Sequence, residues 1–365
     1  MRRTSALATV VTVLLVLGAC SGDDDGSDTS GDDSPTAADS AQPSSSPTGT
    51  ARPGEPQAIV KNRKVTWGLA FLPGGDALVT ERESAKLLRV TPKGRVTEIG
   101  KIPGVSAAGE GGLLGVAVSP GYETDKFVYV YFTARSDNRI ARFPYEDGIG
   151  RLQMLVTGIP KGDYHNGGRL AFGPDRMLYA STGEAGRENL SQDKKSLGGK
   201  ILRMTPAGDP APGNPFGTLV WTYGHRNVQG LAWDPQGRMF ATEFGQDRFD
   251  EINQIVKGRN YGWPDVEGMG GDEVRFKRPV LTWTPSEASP SGLTYAQGSL
   301  WAAALRGKRL WQIPLSRNGT AGRPIAHFKE RFGRVREVVP APDGKSLWLT
   351  TDNGDKDGVI VVPLT

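Results

Sequence analysis

The chain has 365 residues, with 44 Lys and Arg against 40 Asp and Glu, three histidines and one cysteine. One cysteine excludes internal disulfides, and no His/Cys cluster has zinc spacing. The basic residues form no dense run, so the modest positive charge does not argue for a nucleic-acid partner.

Residues 1–19 read as a secretory signal: Arg2 and Arg3 precede an apolar run from Ala6 to Leu17, which ends Leu17-Gly-Ala-Cys20. The run is short for a membrane-spanning helix, which needs about 20 apolar residues. Leu-Gly-Ala-Cys resembles the bacterial lipobox, which predicts a lipid on Cys20; the plainer alternative is an ordinary signal with an incidental cysteine. Residues 20–56 are rich in Ser, Asp, Gly, Thr and Pro and cannot bury enough surface to offset chain entropy, so they read as a disordered tether. Eight acids there face Arg52 alone, which leaves about +9 on residues 57–365.

From residue 57 one pattern recurs: an apolar strand, a Pro- or Gly-centred turn, a second apolar strand, then polar residues. In chain order the copies open at Gly68-Leu-Ala-Phe-Leu-Pro73, Gly115-Val-Ala-Val-Ser-Pro120, Arg169-Leu-Ala-Phe-Gly-Pro174, Gly230-Leu-Ala-Trp-Asp-Pro235, Gly292-Leu-Thr-Tyr295 and Glu337-Val-Val-Pro-Ala-Pro342. Six copies at blade-like spacing predict an all-β, six-bladed β-propeller over 57–365. A pair of β-sandwiches would not explain the repeat. A helical period shows only around Leu190 to Leu202. Trp233, Trp301 and Trp348 fall within repeat strands and read as packing between blades.

In a propeller, the residues after each second strand meet around one channel mouth. That phase predicts convergence of Glu110, His165, Arg226, Asn227, Gly245 and the Arg334/Arg336 pair. His165 stands in Asp163-Tyr-His-Asn-Gly-Gly168, a loop suited to close ligand approach, and histidine is the usual base near neutral pH. His225 reads as structural and His327 has no assigned role. Asp250-Glu251 with Asn253, near Tyr261, offers oxygen donors that suit calcium or form a solvated acidic turn. The Gly245-Gln246 carbonyls could also reach a cation. No Walker loop and no dinucleotide fingerprint in strand–turn–helix context is present.

Five motifs in order resemble the glucose/sorbosone dehydrogenase family of soluble quinoproteins: Gly109-Glu-Gly-Gly-Leu-Leu-Gly115, His165-Asn-Gly-Gly-Arg-Leu-Ala-Phe-Gly-Pro174, Tyr223-Gly-His-Arg-Asn-Val-Gln-Gly-Leu231, Asp250-Glu-Ile-Asn253 and Asn260-Tyr-Gly-Trp-Pro264. The compact length is similar to the aldose sugar dehydrogenase branch. The resemblance implies a propeller that binds pyrroloquinoline quinone (PQQ) and calcium and oxidises the anomeric hydroxyl of an aldose to a lactone, with hydride transfer to PQQ. It implies His165 as base and Arg226 as the group steadying charge on the sugar oxygen. Glu110, Asn227, Arg306, Arg334 and Arg336 would hold the cofactor. The Gly245 and Gln246 carbonyls would bind the catalytic calcium, with Glu251 and Tyr261 on additional calcium. The arginines suit the three carboxylates of PQQ through charge-assisted bonds. The expected protein is a monomer on the outer face of a bacterial cytoplasmic membrane, held by lipid alone and passing electrons to an external acceptor. A propeller that binds sugar or protein without catalysis is the alternative. A calcium-dependent lactonase on this architecture is weaker, because an acidic metal cage is not evident.

Overall fold

The computed structural model describes residues 51–146 and 148–365. The expected signal, Cys20 and the tether as far as residue 50 lie outside the described residues. Twenty-four strands form six antiparallel four-stranded sheets. After an opening strand β1 (Gln57–Arg63), blade one holds β2 (Thr66–Phe71), β3 (Ala77–Glu81), β4 (Lys86–Val90) and β5 (Val96–Lys101). Blade two holds β6 (Leu113–Val118), β7 (Phe127–Thr133), β8 (Asn138–Pro144) and β9 (Gln153–Ile159). Blade three holds β10 (Leu170–Phe172), β11 (Leu178–Ser181), β12 (Lys200–Met204) and β13 (Val220–Tyr223), and blade four β14 (Val228–Trp233), β15 (Met239–Glu243), β16 (Asp250–Ile255) and β17 (Leu281–Trp283). Blade five holds β18 (Pro290–Ala296), β19 (Ser299–Ala304), β20 (Arg309–Pro314) and β21 (Ile325–His327), and blade six β22 (Val335–Pro340), β23 (Ser346–Thr351) and β24 (Asp357–Pro363). The six-bladed propeller expected from the repeat is the fold, and each repeat copy supplies a blade's first two strands.

Blade six takes its outer strand from the other end of the chain: β1 pairs antiparallel with β24, Gln57 opposite Val361 and Arg63 opposite Asp357. This closure leaves no first or last blade with an open side. Residues 51–56, expected within the tether, are folded against the last strand of blade six, which corrects that boundary. Pro53 bridges Leu364, the Arg52 N–H donates to the Thr365 carbonyl at 2.8 Å, and Ala51 is buried. The helical period around Leu190 resolves instead into a single 3-10 turn (Glu188–Ser191) followed by β12.

Two devices of the repeat draw the inner strands together. The Gly that opens several copies is required by close approach: a Cβ on Gly115 would lie 2.2 Å from the Gly168 carbonyl, and one on Gly230 would lie 2.4 Å from the Ser291 carbonyl. A hydroxyl on the second strand then latches the next blade. Thr80 Oγ1 donates to the Leu114 carbonyl (2.6 Å), Ser181 Oγ to that of Val228 (2.7 Å) and Thr242 Oγ1 to that of Ser291 (2.5 Å).

The apolar core lies between blades. Six clusters of buried side chains occupy the blade-to-blade contacts. Trp348 meets Phe71 of blade one edge-on at 5.0 Å, Trp233 meets Tyr179 of blade three at 5.1 Å, and Trp301 is fully buried between blades five and six. All three therefore pack between blades, as their positions in the repeat imply. Aromatic pairs of this geometry contribute about 1 kcal/mol beyond the area they bury.

Candidate active site

The site lies where second strands end and first strands begin. His165 sits just before β10, in the left-handed backbone region at φ 56°. Two bonds hold that conformation: its N–H donates to Glu110 Oε2 at 3.0 Å, and its carbonyl accepts the Ala185 N–H at 3.1 Å. Asn166, almost fully buried, braces the same loop by accepting from Gly162 N–H and Asn138 Nδ2 and donating to the Gly162 carbonyl. The His165 ring is fixed by Glu184, whose Oε1 lies 2.6 Å from Nδ1. Glu184 is 1% exposed, and its Oε2 accepts the Arg187 N–H. With Nδ1 donating to a carboxylate, Nε2 carries the lone pair, and no described residue bonds to it. The exposed ring of Tyr164 stands edge-on to the imidazole at 4.5 Å.

Arg226 and Asn227 enter from the turn before β14. Arg226 Nη1 donates to the Gly245 carbonyl at 2.8 Å, its guanidinium lies 5.3 Å from the Trp263 ring, and its buried Nε has no partner among the described residues. Burial pulls its pKa down, against the nearby charges of Glu184 and Glu243. The backbone N–H of Arg226 donates to Glu243 Oε1 at 2.5 Å, and Glu243 Oε2 accepts from His225 Nδ1 at 2.9 Å. His225 is fully buried, also bonded to Thr222 and stacked on Tyr261, so it is structural as expected. The Glu184 N–H donates to the Arg226 carbonyl at 3.0 Å, and Asn227 Oδ1 accepts the Gly167 N–H at 3.0 Å. His165, Glu184, Arg226 and Asn227 are thus joined into one hydrogen-bonded unit across blades three and four.

Across the mouth, Asp352 gathers arginines. Arg336 pairs with it directly and Arg334 lies 3.5 Å away, while Arg82, just after β3, adds its charge to the same neighbourhood. Burial works to raise the Asp352 pKa, and Arg336 and Arg334 overcome it, holding the carboxyl below its usual range. The Nε atoms of Arg82 and Arg336 are buried without partners among the described residues. Two carboxylates, Asp352 and the Glu83 that pairs with Arg82 at 2.9 Å, face three guanidiniums, which leaves net positive charge for further carboxylates. Arg306 lies exposed in the turn after β19, at the same end of its blade.

Arg336 departs from the expected rim position. It is 4% exposed and plugs the channel axis, with Nη1 donating to Gln229 Oε1 at 2.7 Å and the guanidinium 5.8 Å from the Trp67 ring. Beside it, Arg169 pairs with Glu337 and lies 4.4 Å from the same Trp67 ring. Arg336 follows the first residue of β22, so its side chain points to the axis, whereas Arg334 precedes the strand and stays half exposed.

A model of the glucose/sorbosone dehydrogenase family matches residues 63–361. The chain belongs to that family. It is 52% identical to an aldose sugar dehydrogenase of Streptomyces coelicolor solved in its PQQ-bound form, with a TM-score of 0.84 and coverage of 88% of this chain and 100% of that one. It is 30% identical to an aldose sugar dehydrogenase of Escherichia coli, covering 81% of this chain and 90% of that protein. It is 32% identical to quinoprotein glucose dehydrogenase B of Acinetobacter calcoaceticus over 59% of this chain and 53% of that protein. The chain is accordingly an oxidoreductase of the glucose/sorbosone dehydrogenase family.

Sequence reasoning missed two residues of this dehydrogenase site, Glu184 and Arg82. Arg82 and Glu184 stand just beyond the latch hydroxyls Thr80 and Ser181, as Glu243 stands beyond Thr242, though at different offsets; position at the end of a second strand was the available signal. Of the residues expected at calcium, Gly245 already turns its carbonyl to a cation, the Arg226 guanidinium, and so is of the right donor type; Gln246 is exposed beside it. The Tyr261 hydroxyl donates to the Gln254 carbonyl and accepts the Val256 N–H, and the two Glu251 oxygens accept from Gly268 N–H and Asn253 Nδ2. Burial and the Glu243 charge hold the Glu251 carboxyl well above the usual range. Among the described residues no group of three or more His, Cys, Asp or Glu is placed to hold a metal.

Proposed function

We propose that this protein is a PQQ-dependent aldose dehydrogenase that oxidises the C1 hydroxyl of a sugar to a lactone. The observation that carries the reading is the His165–Glu184 pair. A buried carboxylate fixes Nδ1 as the donor and leaves Nε2 as a proton acceptor at the mouth, within a unit that also holds Arg226. His165 takes the proton of the anomeric hydroxyl, and Glu184 stabilises the imidazolium that forms. Such a base contributes roughly 10²- to 10⁴-fold in rate. Arg226 faces the negative charge that develops on the sugar oxygen, and its desolvation strengthens that attraction. PQQ, when bound, supplies the hydride acceptor. Arg82, Arg334 and Arg306 would hold its carboxylates, Asn227 and Glu110 would line its edge, and Arg336 would support them from below through Asp352. A calcium ion at the Gly245 and Gln246 carbonyls, with additional calcium at Glu251 and Tyr261, is part of the proposal.

Export and attachment through a lipid on Cys20 are proposed from the sequence pattern. Mass spectrometry of the mature N-terminus tests them, and an unmodified chain starting elsewhere would refute the anchor. The function is tested by titrating apo-protein with PQQ, followed by absorbance, with and without calcium, and then by dye reduction across an aldose panel. Saturable binding with aldose-dependent dye reduction is expected. No binding and no turnover with any aldose would sink the reading.

A further inference from the structure

Lys200, the first residue of β12, is fully buried, and among the described residues no acid pairs with it. Its Nζ donates to three backbone carbonyls: Leu190 at 2.6 Å, Ser191 at 3.0 Å and Gly198 at 2.6 Å. Three acceptors need three N–H donors, and only the ammonium form has them; a neutral amine would set its lone pair against an oxygen. Burial pulls the lysine pKa down to about 7, opposed by the charge of Asp193, while the carbonyl cage favours the charged form.

The three carbonyls belong to both limbs of the loop 182–199, the excursion that carries Glu184. On the first limb, the Leu190 N–H donates to the Arg187 carbonyl, and the Arg187 N–H donates to Glu184 Oε2, each at 3.0 Å. The grip on Leu190 therefore reaches the carboxylate that orients His165. Ser191 extends the grip to the other loop. Its carbonyl also accepts the Gly224 N–H at 2.9 Å, and its hydroxyl donates to the His225 carbonyl at 2.6 Å, the two residues before Arg226. Gly199, at φ 65°, permits this crowding: a Cβ there would lie 2.4 Å from Ser191 Oγ and 2.5 Å from the His225 carbonyl.

We infer that Lys200 is a positioning residue, an internal ammonium that locks the loop carrying Glu184 to the loop carrying Arg226 and so fixes the base relative to the charge-stabilising arginine. The inference rests on the dehydrogenase reading above for its kinetic consequence, but its structural content can be measured without turnover. Lysine suits the role because its three donors rotate into a cage of separate carbonyls that a planar guanidinium could not satisfy.

The test uses the full protein labelled with ¹⁵N-histidine, without cofactor. Wild type is expected to show a downfield Nδ1 proton on His165, assigned by its loss in Glu184→Gln. Lys200→Met is uncharged and similar in shape. It is expected to shift or broaden that resonance, and to lower kcat at least about tenfold, as loosened positioning does, with PQQ affinity within about twofold of wild type. A Lys200→Met protein that melts earlier but keeps the resonance and wild-type kcat overturns the inference. Should that variant not fold, Ser191→Ala decides, since it cuts the link to His225 and leaves Lys200 in place. A loss of about threefold in kcat, the scale of one hydrogen bond, supports the coupling, and an unchanged kcat overturns it. If wild type neither binds PQQ nor turns over, the dehydrogenase reading fails by itself, and the His165 resonance in Lys200→Met still decides whether the lock exists.

Discussion

The two mouths of the channel are built from the same repeat and share little chemistry. At the mouth opposite the site, strands turn back through short hairpins closed by backbone bonds, such as Leu72 N–H to Asp76 O at 2.8 Å with Gly75 N–H to Leu72 O at 2.9 Å, and Asp234 N–H to Arg238 O at 3.1 Å with Gly237 N–H to Asp234 O at 2.9 Å. That mouth opens on a cavity of about 760 Å³, lined by Leu69, Phe71, Phe172, Trp233, Tyr295 and Pro340, with Arg169 and Glu337 also on its wall. At the site mouth four-residue connections deliver Arg82 and Arg226, and longer ones deliver His165, Glu184 and Arg334. The contrast teaches that the blades fix position and the loops fix chemistry. A short hairpin has backbone for one buried carboxylate such as Asp234, whereas a loop such as 182–199 holds both buried Glu184 and Lys200.

The difference between the mouths is broken most directly at His165. His165→Ala is expected to lower kcat by about 10²- to 10⁴-fold with PQQ binding retained, while Tyr295→Phe at the opposite mouth leaves kcat unchanged; equal losses would show that the mouths are not functionally distinct. Between them, the channel plug should respond through stability. Arg169→Met strands the buried Glu337 carboxylate and is expected to cost about 3–5 kcal/mol in denaturant unfolding, with Arg169→Met/Glu337→Leu recovering much of the loss. Glu184→Gln sharpens the comparison within the site, since it keeps the shape and removes the charge. A kcat loss of about 10- to 100-fold is expected, because the imidazolium loses its counter-charge.

A smaller effect separates the site from blade six. Asp357 is fully buried; its Oδ1 accepts from Thr351 Oγ1 and the Asn353 N–H, and its Oδ2 has no partner among the described residues. Burial holds its pKa above the ordinary value. A native state that retains this proton while the unfolded chain releases it is stabilised below the unfolded pKa of about 4. The contribution is lost as pH rises through the raised native pKa. Asp357→Asn is expected to flatten that slope and add about 1 kcal/mol at neutral pH, measured by urea unfolding across pH 4–8, with kcat unchanged. A steeper slope in the variant would refute the assignment.

Much of this arrangement is written locally. The Gly-Leu-Ala-Phe copies mark inner strands because glycine is needed where neighbouring blades touch, and the hydroxyl before each polar end is the latch to the next blade. The convergence of His165, Arg226 and Arg334 on one end follows from that phase alone. Glu184 also lies beyond a second strand, but the intervening Thr182-Gly183 put it out of step with Glu243, which follows its latch hydroxyl directly. The Arg-x-Arg pattern named two arginines without separating their roles, because residues two apart share a face of a strand; only the structure shows Arg336 buried within β22 and Arg334 half exposed before it.

By itself, then, the sequence determined the number of blades, the end that carries the chemistry and the residue types gathered there, since these follow from turn chemistry and a period of two along strands. Tertiary structure alone decided that β1 closes blade six, that a buried Glu184 holds the His165 ring, and that Lys200 sits in a carbonyl cage. Each of these depends on partners distant along the chain or on backbone atoms, whose direction no residue type encodes.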